Sequence, residues 1–239
     1  QELADTFNTM LHRLQASFTR ERQFTADASH ELRTPVAVIS ACAEELQKDL
    51  PQGEAVEPVA AIQRESARMH KILSQLLLLT RGYEGRYHLE REVFPLREVV
   101  ASVMEELAET AAASRIRLFN QVPDEVSLYA DQSLTTQLLI NLIGNSIRYG
   151  RERGKVVVRA SLTQTQCTFT VSDDGIGIQE DQLPHIFERF YRADPARDRS
   201  GSGLGLSIAR SLTELQGGTF ELAVDGDLFK ATVTMPQSG

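Results

Sequence analysis

The sequence predicts two units of different class. The first is an all-α helical hairpin that pairs with a second copy into a four-helix bundle; the second is an α+β sandwich of one sheet against helices. Three observations predict this. Heptad spacing runs through the first 81 residues, a polar stretch with two glycines interrupts it at 82–92, and from Val93 strands and helices mix without strict βαβ alternation. A chain of 239 residues that is 41% apolar has enough hydrocarbon for a sizeable core. Lys and Arg number 25 against 33 Asp and Glu, so the net charge is −8. A surface this acidic repels a phosphate backbone, which excludes nucleic acid as the main partner. Two cysteines, Cys42 and Cys167, are too few and too scattered for a disulfide framework or a zinc site, which suits a reducing compartment.

The elements follow in order. Leu3, Phe7, Met10 and Leu14 recur as a coiled-coil seam, so residues 1–20 read as a coiled-coil lead-in. Leu32, Val36, Ile39, Ala43, Leu46 and Leu50 repeat the same alternation, and Pro51 and Gly53 mark a turn. Val59, Ile62, Ser66, Met69, Leu73, Leu76 and Thr80 then form a second seam, which makes 21–81 an antiparallel hairpin. One hairpin cannot bury both faces of its seam, and a homodimeric bundle solves that. Residues 82–92 read as a linker and 93–239 as the second domain. In that domain the pattern predicts a helix from Leu96 to about Arg115, strands near 116–121 and 126–130, and a helix over 132–149. Strands at Lys155–Ala160 and Gln166–Ser172, a helix at Leu204–Leu215 and a hairpin of Thr219–Val224 and Leu228–Met235 complete it. No run approaches the ~18 apolar residues of a membrane span, so no membrane contact is expected of this fragment itself. The chain opens at Gln1 already in a helical pattern and reads as a cytoplasmic piece of something longer.

His30 lies about 200° around its helix from the seam residue Leu32 and therefore faces out. Thr34, four residues on, shares that face, and Glu31 is long enough to reach an imidazole nitrogen and fix its tautomer. Pro35 removes a backbone donor and should bend the helix. A nucleophile, a base and a hydroxyl on a bent helix suit an acceptor site for a transferred group. The run His30-Glu31-Leu32-Arg33-Thr34-Pro35 resembles the phospho-acceptor box of the bacterial sensor histidine kinases. The resemblance implies that His30 is phosphorylated, that Glu31 is the general base, and that Thr34 orients water for dephosphorylating a partner.

In the 132–149 helix, Gln137, Asn141, Asn145 and Arg148 fall on one narrow stripe against a wide apolar face. Amides and a guanidinium so arranged suit phosphate oxygens and a hard cation. A merely solvated helix face would look alike, but two asparagines at i,i+4 have poor helix propensity and need a reason. Asp173-Asp174-Gly175-Ile176-Gly177 follows a strand directly. Its glycines permit a turn through unusual dihedrals, and a buried Asp173 carboxylate would accept a hydrogen bond from an exocyclic amino group such as that of adenine. A plain Asx turn is the competing reading. Ser200 through Ser207 places glycines before a helix N-terminus, where amides and dipole favour phosphate. Gly154-Lys155-Val156 lacks the Ser or Thr of a Walker A loop, and neither glycine register from Gly201 nor from Gly203 completes a dinucleotide fingerprint. Between the clusters, Arg189, Arg192, Arg197 and Arg199 lie in a charged stretch that reads as a lid.

This order of asparagine helix, Asp-x-Gly-x-Gly, phenylalanine-rich segment and Gly-x-Gly-x-Gly resembles the ATP-binding domain shared by histidine kinases, gyrase-type topoisomerases, ninety-kilodalton chaperones and mismatch-repair ATPases. The resemblance implies an α/β sandwich binding ATP and Mg²⁺. Asn145 would be the metal ligand, Asn141 and Arg148 phosphate neighbours, and Asp173 the adenine reader. Tyr149, Gly175, Gly177, Arg192, Gly201, Ser202, Gly203, Leu204 and Gly205 would complete the nucleotide site. Arg148 stands where many relatives carry lysine, and Asp174 where many carry asparagine. Residues 1–20 resemble the last helix of a HAMP-type linker, which implies a full-length protein in the bacterial membrane with this part on the cytoplasmic side. The implied activity is an ATP-dependent protein-histidine kinase passing its phosphoryl group to an aspartate on a response-regulator receiver domain. An ATP-operated switch that never labels itself, or a scaffold with an inert ATP site, are the alternatives.

Overall fold

The computed structural model describes residues 88–178, 203–225 and 228–237, with further positions at 182, 185–188 and 190–191. Upstream it describes 31–32, 34–35, 37–39, 41–42, 61–62, 65–66 and 68–69. The chain divides into two compact units, Gln1–Leu76 and Leu77–Gly239.

In the first unit every described residue is helical, on both sides of the expected turn. Leu32, Ile39, Ile62 and Met69, all seam positions, are half-buried, while the seam residue Ser66 is exposed. Pro35, which the heptad reading left off the seam, is buried. Arg68 pairs with Glu65 one turn earlier, at 2.9 Å. The lead-in at 1–20 and the turn at Pro51–Gly53 lie outside the described residues.

The second unit is a two-layer α+β sandwich. Its strands are β1 (Arg91–Pro95), β2 (Arg117–Gln121), β3 (Ser127–Asp131), β4 (Lys155–Leu162), β5 (Gln166–Asp173), β6 (Thr219–Asp225) and β7 (Leu228–Pro236). Its helices are α1 (Leu96–Glu106), α2 (Ala108–Ala113), α3 (Gln132–Tyr149) and α4 (Gly205–Leu215). The main sheet has the order β2-β4-β5-β7-β6; β2 and β4 are parallel and the other pairs antiparallel. β1 and β3 form a separate antiparallel pair.

The period of two explains the main sheet. On β5, Cys167, Phe169 and Val171 are buried, while Thr168 and Thr170 alternate with them on the outer face. There the threonine hydroxyls meet those of β7 in register, Thr168 with Thr234 at 3.2 Å and Thr170 with Thr232 at 3.3 Å. The inner face takes Leu138, Leu139, Leu142 and Ile143 of α3 and Ile208 and Leu212 of α4, each side chain worth about 1.5–3 kcal/mol on burial. Burial pushes the Cys167 thiol up to about 11, so it is a packing residue and no nucleophile.

Three expectations need correcting. The helix expected over 96–115 is two helices, because the chain turns at Leu107 (φ −92°, ψ 1°). Arg91 and Glu92, read as the end of the linker, lie in β1, whose backbone is held by β3. α4 starts at Gly205, with Leu204 as its N-cap residue.

Candidate functional site

α3 carries the site, and its first turn shows how it is set. Asp131 caps it: the Leu134 N–H donates to Asp131 Oδ1 at 3.0 Å, a cap worth about 1 kcal/mol. The polar stripe then grades from Asn141, buried, through Asn145, half-buried, to Arg148, exposed. Asn141 is 7% exposed, and its Nδ2 has no hydrogen-bond partner. A buried amide donor left unmatched costs about 1–3 kcal/mol, so this atom is poised for an acceptor from outside the protein.

Asp173 ends β5 beside α3 and is 4% exposed. Its Oδ1 accepts the Gly175 N–H at 3.0 Å, and the Ser146 hydroxyl also hydrogen-bonds to the carboxylate. Burial pushes its pKa up, with Asp174 adding to the rise, while the Ser146 and Gly175 bonds pull against it. Such a carboxylate burdens the fold, and that points to a ligand rather than to packing.

The turn after Asp173 is stapled to the end of α3. The Ile176 N–H donates to the Tyr149 carbonyl at 3.1 Å, and Arg151 Nε donates to the Gly175 carbonyl at 3.0 Å. Gly175 was expected to need an unusual dihedral; it needs space instead. A Cβ there would lie 2.5 Å from the Tyr149 carbonyl oxygen. Gly177 does take the left-handed region (φ +69°), as expected. Asp174 turns away and accepts the Lys155 N–H at 2.8 Å.

The second glycine cluster meets α3 at the start of α4. A Cβ on Gly205 would lie 2.9 Å from Asn145 Nδ2 and 3.0 Å from its Oδ1. The α4 N-terminus and the Asn145 amide are thus adjacent. Leu204 is fully buried, so only its backbone can serve a ligand. Gly203 takes φ +66°, and its carbonyl accepts the Phe190 N–H at 3.0 Å. A Cβ on Gly203 would lie 2.6 Å from the Phe190 carbonyl carbon, and Phe190 itself has φ +63°. The Gly205→Ala protein is expected to keep its melting temperature, since alanine is the better helix residue by about 1 kcal/mol. For the ATP–Mg²⁺ complex that the sequence resemblance implies, affinity should fall about tenfold as the new methyl displaces the Asn145 amide, measured by calorimetric titration.

The structure therefore brings Asn141, Asn145, Tyr149, Asp173, Gly175, Gly203, Leu204 and Gly205 to one end of α3 and α4, with Gly177 in the adjoining turn. Arg148 lies on the exposed side of that end. Arg192, Gly201 and Ser202 lie outside the described residues. So does His30, whose neighbours Glu31 and Thr34 are helical, half-buried and exposed respectively. Two residues escaped the sequence reading. Ser146 has no signal beyond its place next to Asn145, and Arg151 has only its nearness to the end of the helix. Among the described residues no three acidic, histidine or cysteine side chains group to hold a metal. The Asn145 amide oxygen suits a divalent cation that takes its remaining oxygens from a phosphate ligand and water, while the α4 N–H groups and the orphaned Asn141 Nδ2 suit the phosphate itself.

Residues 20–85 match the family model "His Kinase A (phospho-acceptor) domain", and residues 130–238 match "Histidine kinase-, DNA gyrase B-, and HSP90-like ATPase". The sensor histidine kinase YkoH of Bacillus subtilis is 34% identical over 92% of this chain and 48% of that protein. The signal transduction histidine-protein kinase BaeS of Escherichia coli is 33% identical over 91% of this chain and 47% of that protein. The chain thus spans about half the length of the curated relatives it matches. The crystal structure of histidine kinase ThkA in complex with response regulator protein TrrA is similar with a TM-score of 0.71, at 25% identity over 92% of this chain and 64% of that one. Acinetobacter baumannii histidine kinase AdeS shares the fold with a TM-score of 0.75, at 21% identity over 88% of this chain and 98% of that one.

Proposed function

Because the chain belongs to the bacterial sensor histidine kinases and carries their phospho-acceptor and ATPase-type domains, we propose that it autophosphorylates on His30 from ATP and passes the phosphoryl group to a response-regulator aspartate. The observation that carries the reading is the pairing, in one chain, of an acceptor box with a buried carboxylate and an orphaned amide in an ATPase fold.

The residues divide the work. Asp173 accepts from the adenine amino group, which distinguishes ATP from GTP. Asn141 Nδ2 and the N–H groups at the start of α4 donate to phosphate oxygens, and Arg148, Tyr149, Arg192, Gly201 and Ser202 complete the cradle. Asn145 would hold Mg²⁺, whose charge offsets that of the triphosphate. His30 attacks the γ-phosphorus through one ring nitrogen as the bond to the bridging oxygen of ADP breaks. Glu31 orients the ring through the proton on the other nitrogen and accepts that proton as the N–P bond forms, which leaves the phosphorylated ring neutral. The acceptor hairpin would occupy 21–81 and pair as a homodimer. The full-length protein would sit in the bacterial membrane with this part in the cytoplasm.

Incubation with γ-labelled ATP tests the reading. Label that is acid-labile and alkali-stable, and that moves to a receiver domain, is the expected result; steady ATP hydrolysis with no labelled protein would instead make it an ATP-driven switch. Thr34 adds a phosphatase role on the receiver. Thr34→Ala is expected to keep labelling His30 while removing phosphate from the receiver about tenfold more slowly or worse. An unchanged removal rate overturns that role.

A further inference from the structure

α3 and α4 meet the nucleotide end at Asn145 and Gly205, and a second junction ties their opposite ends. The Asp131 N–H, at the start of α3, donates to Oε1 of Gln216, the residue that ends α4, at 3.0 Å. Gln216 Nε2 donates in turn to the Leu212 carbonyl at 3.3 Å, so the side chain is spoken for at both atoms. Both residues are almost wholly buried, Asp131 at 4% and Gln216 at 2% exposure, where little water competes for these bonds.

The entering chain grips this junction with two consecutive residues. The Glu90 N–H donates to Asp131 Oδ2 at 3.2 Å, and Arg91 Nη2 donates to the Gln216 carbonyl at 3.0 Å. One grip is on each nucleotide helix. Gly217 turns away at φ +81°, and a Cβ there would stand 3.9 Å from the guanidinium. Among the described residues β1, which carries Arg91, pairs with β3 alone, in a register that sets Arg91 opposite Asp131. A shift of residues 90–91 must therefore move a helix end or break one of these part-buried bonds.

We propose that Glu90 and Arg91 form an entry clamp through which the preceding chain sets the spacing of α3 and α4, and with it nucleotide affinity. Arg91 is a positioning residue: it touches no nucleotide. The proposal rests on the nucleotide reading of the site.

The test uses the whole 239-residue chain, a fluorescent ATP analogue for Kd, and His30 labelling for KM and kcat. Arg91→Ala is expected to raise Kd and KM about five- to tenfold with kcat at saturating ATP within about twofold, and Arg91→Lys to restore both. Two glycines inserted between His88 and Leu89 are expected to shift Kd about threefold in the parent chain and not at all in Arg91→Ala, the non-additivity of a shared device. Arg91→Gln carries the same expectation if Arg91→Ala does not fold. An unchanged Kd in the Arg91 variants, or an insertion effect of equal size in both backgrounds, overturns the clamp. A parent chain that binds no nucleotide overturns instead the reading on which the clamp rests.

Discussion

The His30→Gln chain is expected to bind ATP with the affinity of the parent and to take no label from its γ-phosphate. Glutamine keeps roughly the length and polarity of histidine but offers an amide nitrogen whose lone pair is delocalised, so no phosphoramidate forms. The residues proposed to bind the nucleotide all lie between Asn141 and Gly205, more than a hundred residues downstream of His30 in the sequence, so affinity should not change. Autoradiography after gel separation, beside a Kd from analogue displacement, reads both quantities. Label persisting in His30→Gln would assign the acceptor to another residue.

Asp173→Asn should separate stability from binding just as sharply. In the fold, Asp173 is a desolvated carboxylate whose pKa is raised. An acid with a raised folded-state pKa holds its proton more tightly folded than unfolded. Its stabilising contribution is therefore present at low pH and lost as pH rises through the folded value. At neutral pH the charge is a cost to the fold, and asparagine removes that cost while keeping an oxygen for the Gly175 N–H. The melting temperature at pH 7 is expected to hold or rise. With its oxygen given to Gly175, the amide would turn its NH₂ toward the adenine amino group, donor against donor. Losing a charged acceptor and gaining that clash is worth about 3 kcal/mol, or roughly a hundredfold in Kd for ATP. Calorimetric titration and a thermal melt on the same sample check both halves. A lower melting temperature with unchanged affinity would make Asp173 a structural residue.

The sandwich was legible wherever one periodicity dominated. β5 alternates from Gln166 to Val171, and α3 runs over the full 132–149 that its apolar pattern marks. β1 was not legible: in Arg91-Glu92-Val93-Phe94-Pro95 the valine is 69% exposed and the proline closes the strand, so no alternation accumulates. Nor was the break at Leu107, because a leucine between glutamate and alanine carries no helix-stop signal. At the site, residue types were readable and reasons less so. Gly175 reads as a turn glycine and Gly205 as one that bares amides before a helix, yet what each needs is the absence of a side chain against Tyr149 and Asn145. That requirement comes from distant parts of the chain meeting, which local pattern does not encode. The junction at Asp131 and Gln216 was hidden for the same reason, since 85 residues separate its partners.

The bond from Phe190 to Gly203, backed by the close approach of their backbones, fixes the two feet of the intervening stretch at neighbouring points. Doubling the length of that stretch would raise the closure cost by only about 0.6 kcal/mol, far less than the same addition would cost inside a packed element. Variation in length between these anchors is therefore cheap and leaves the sandwich as it is.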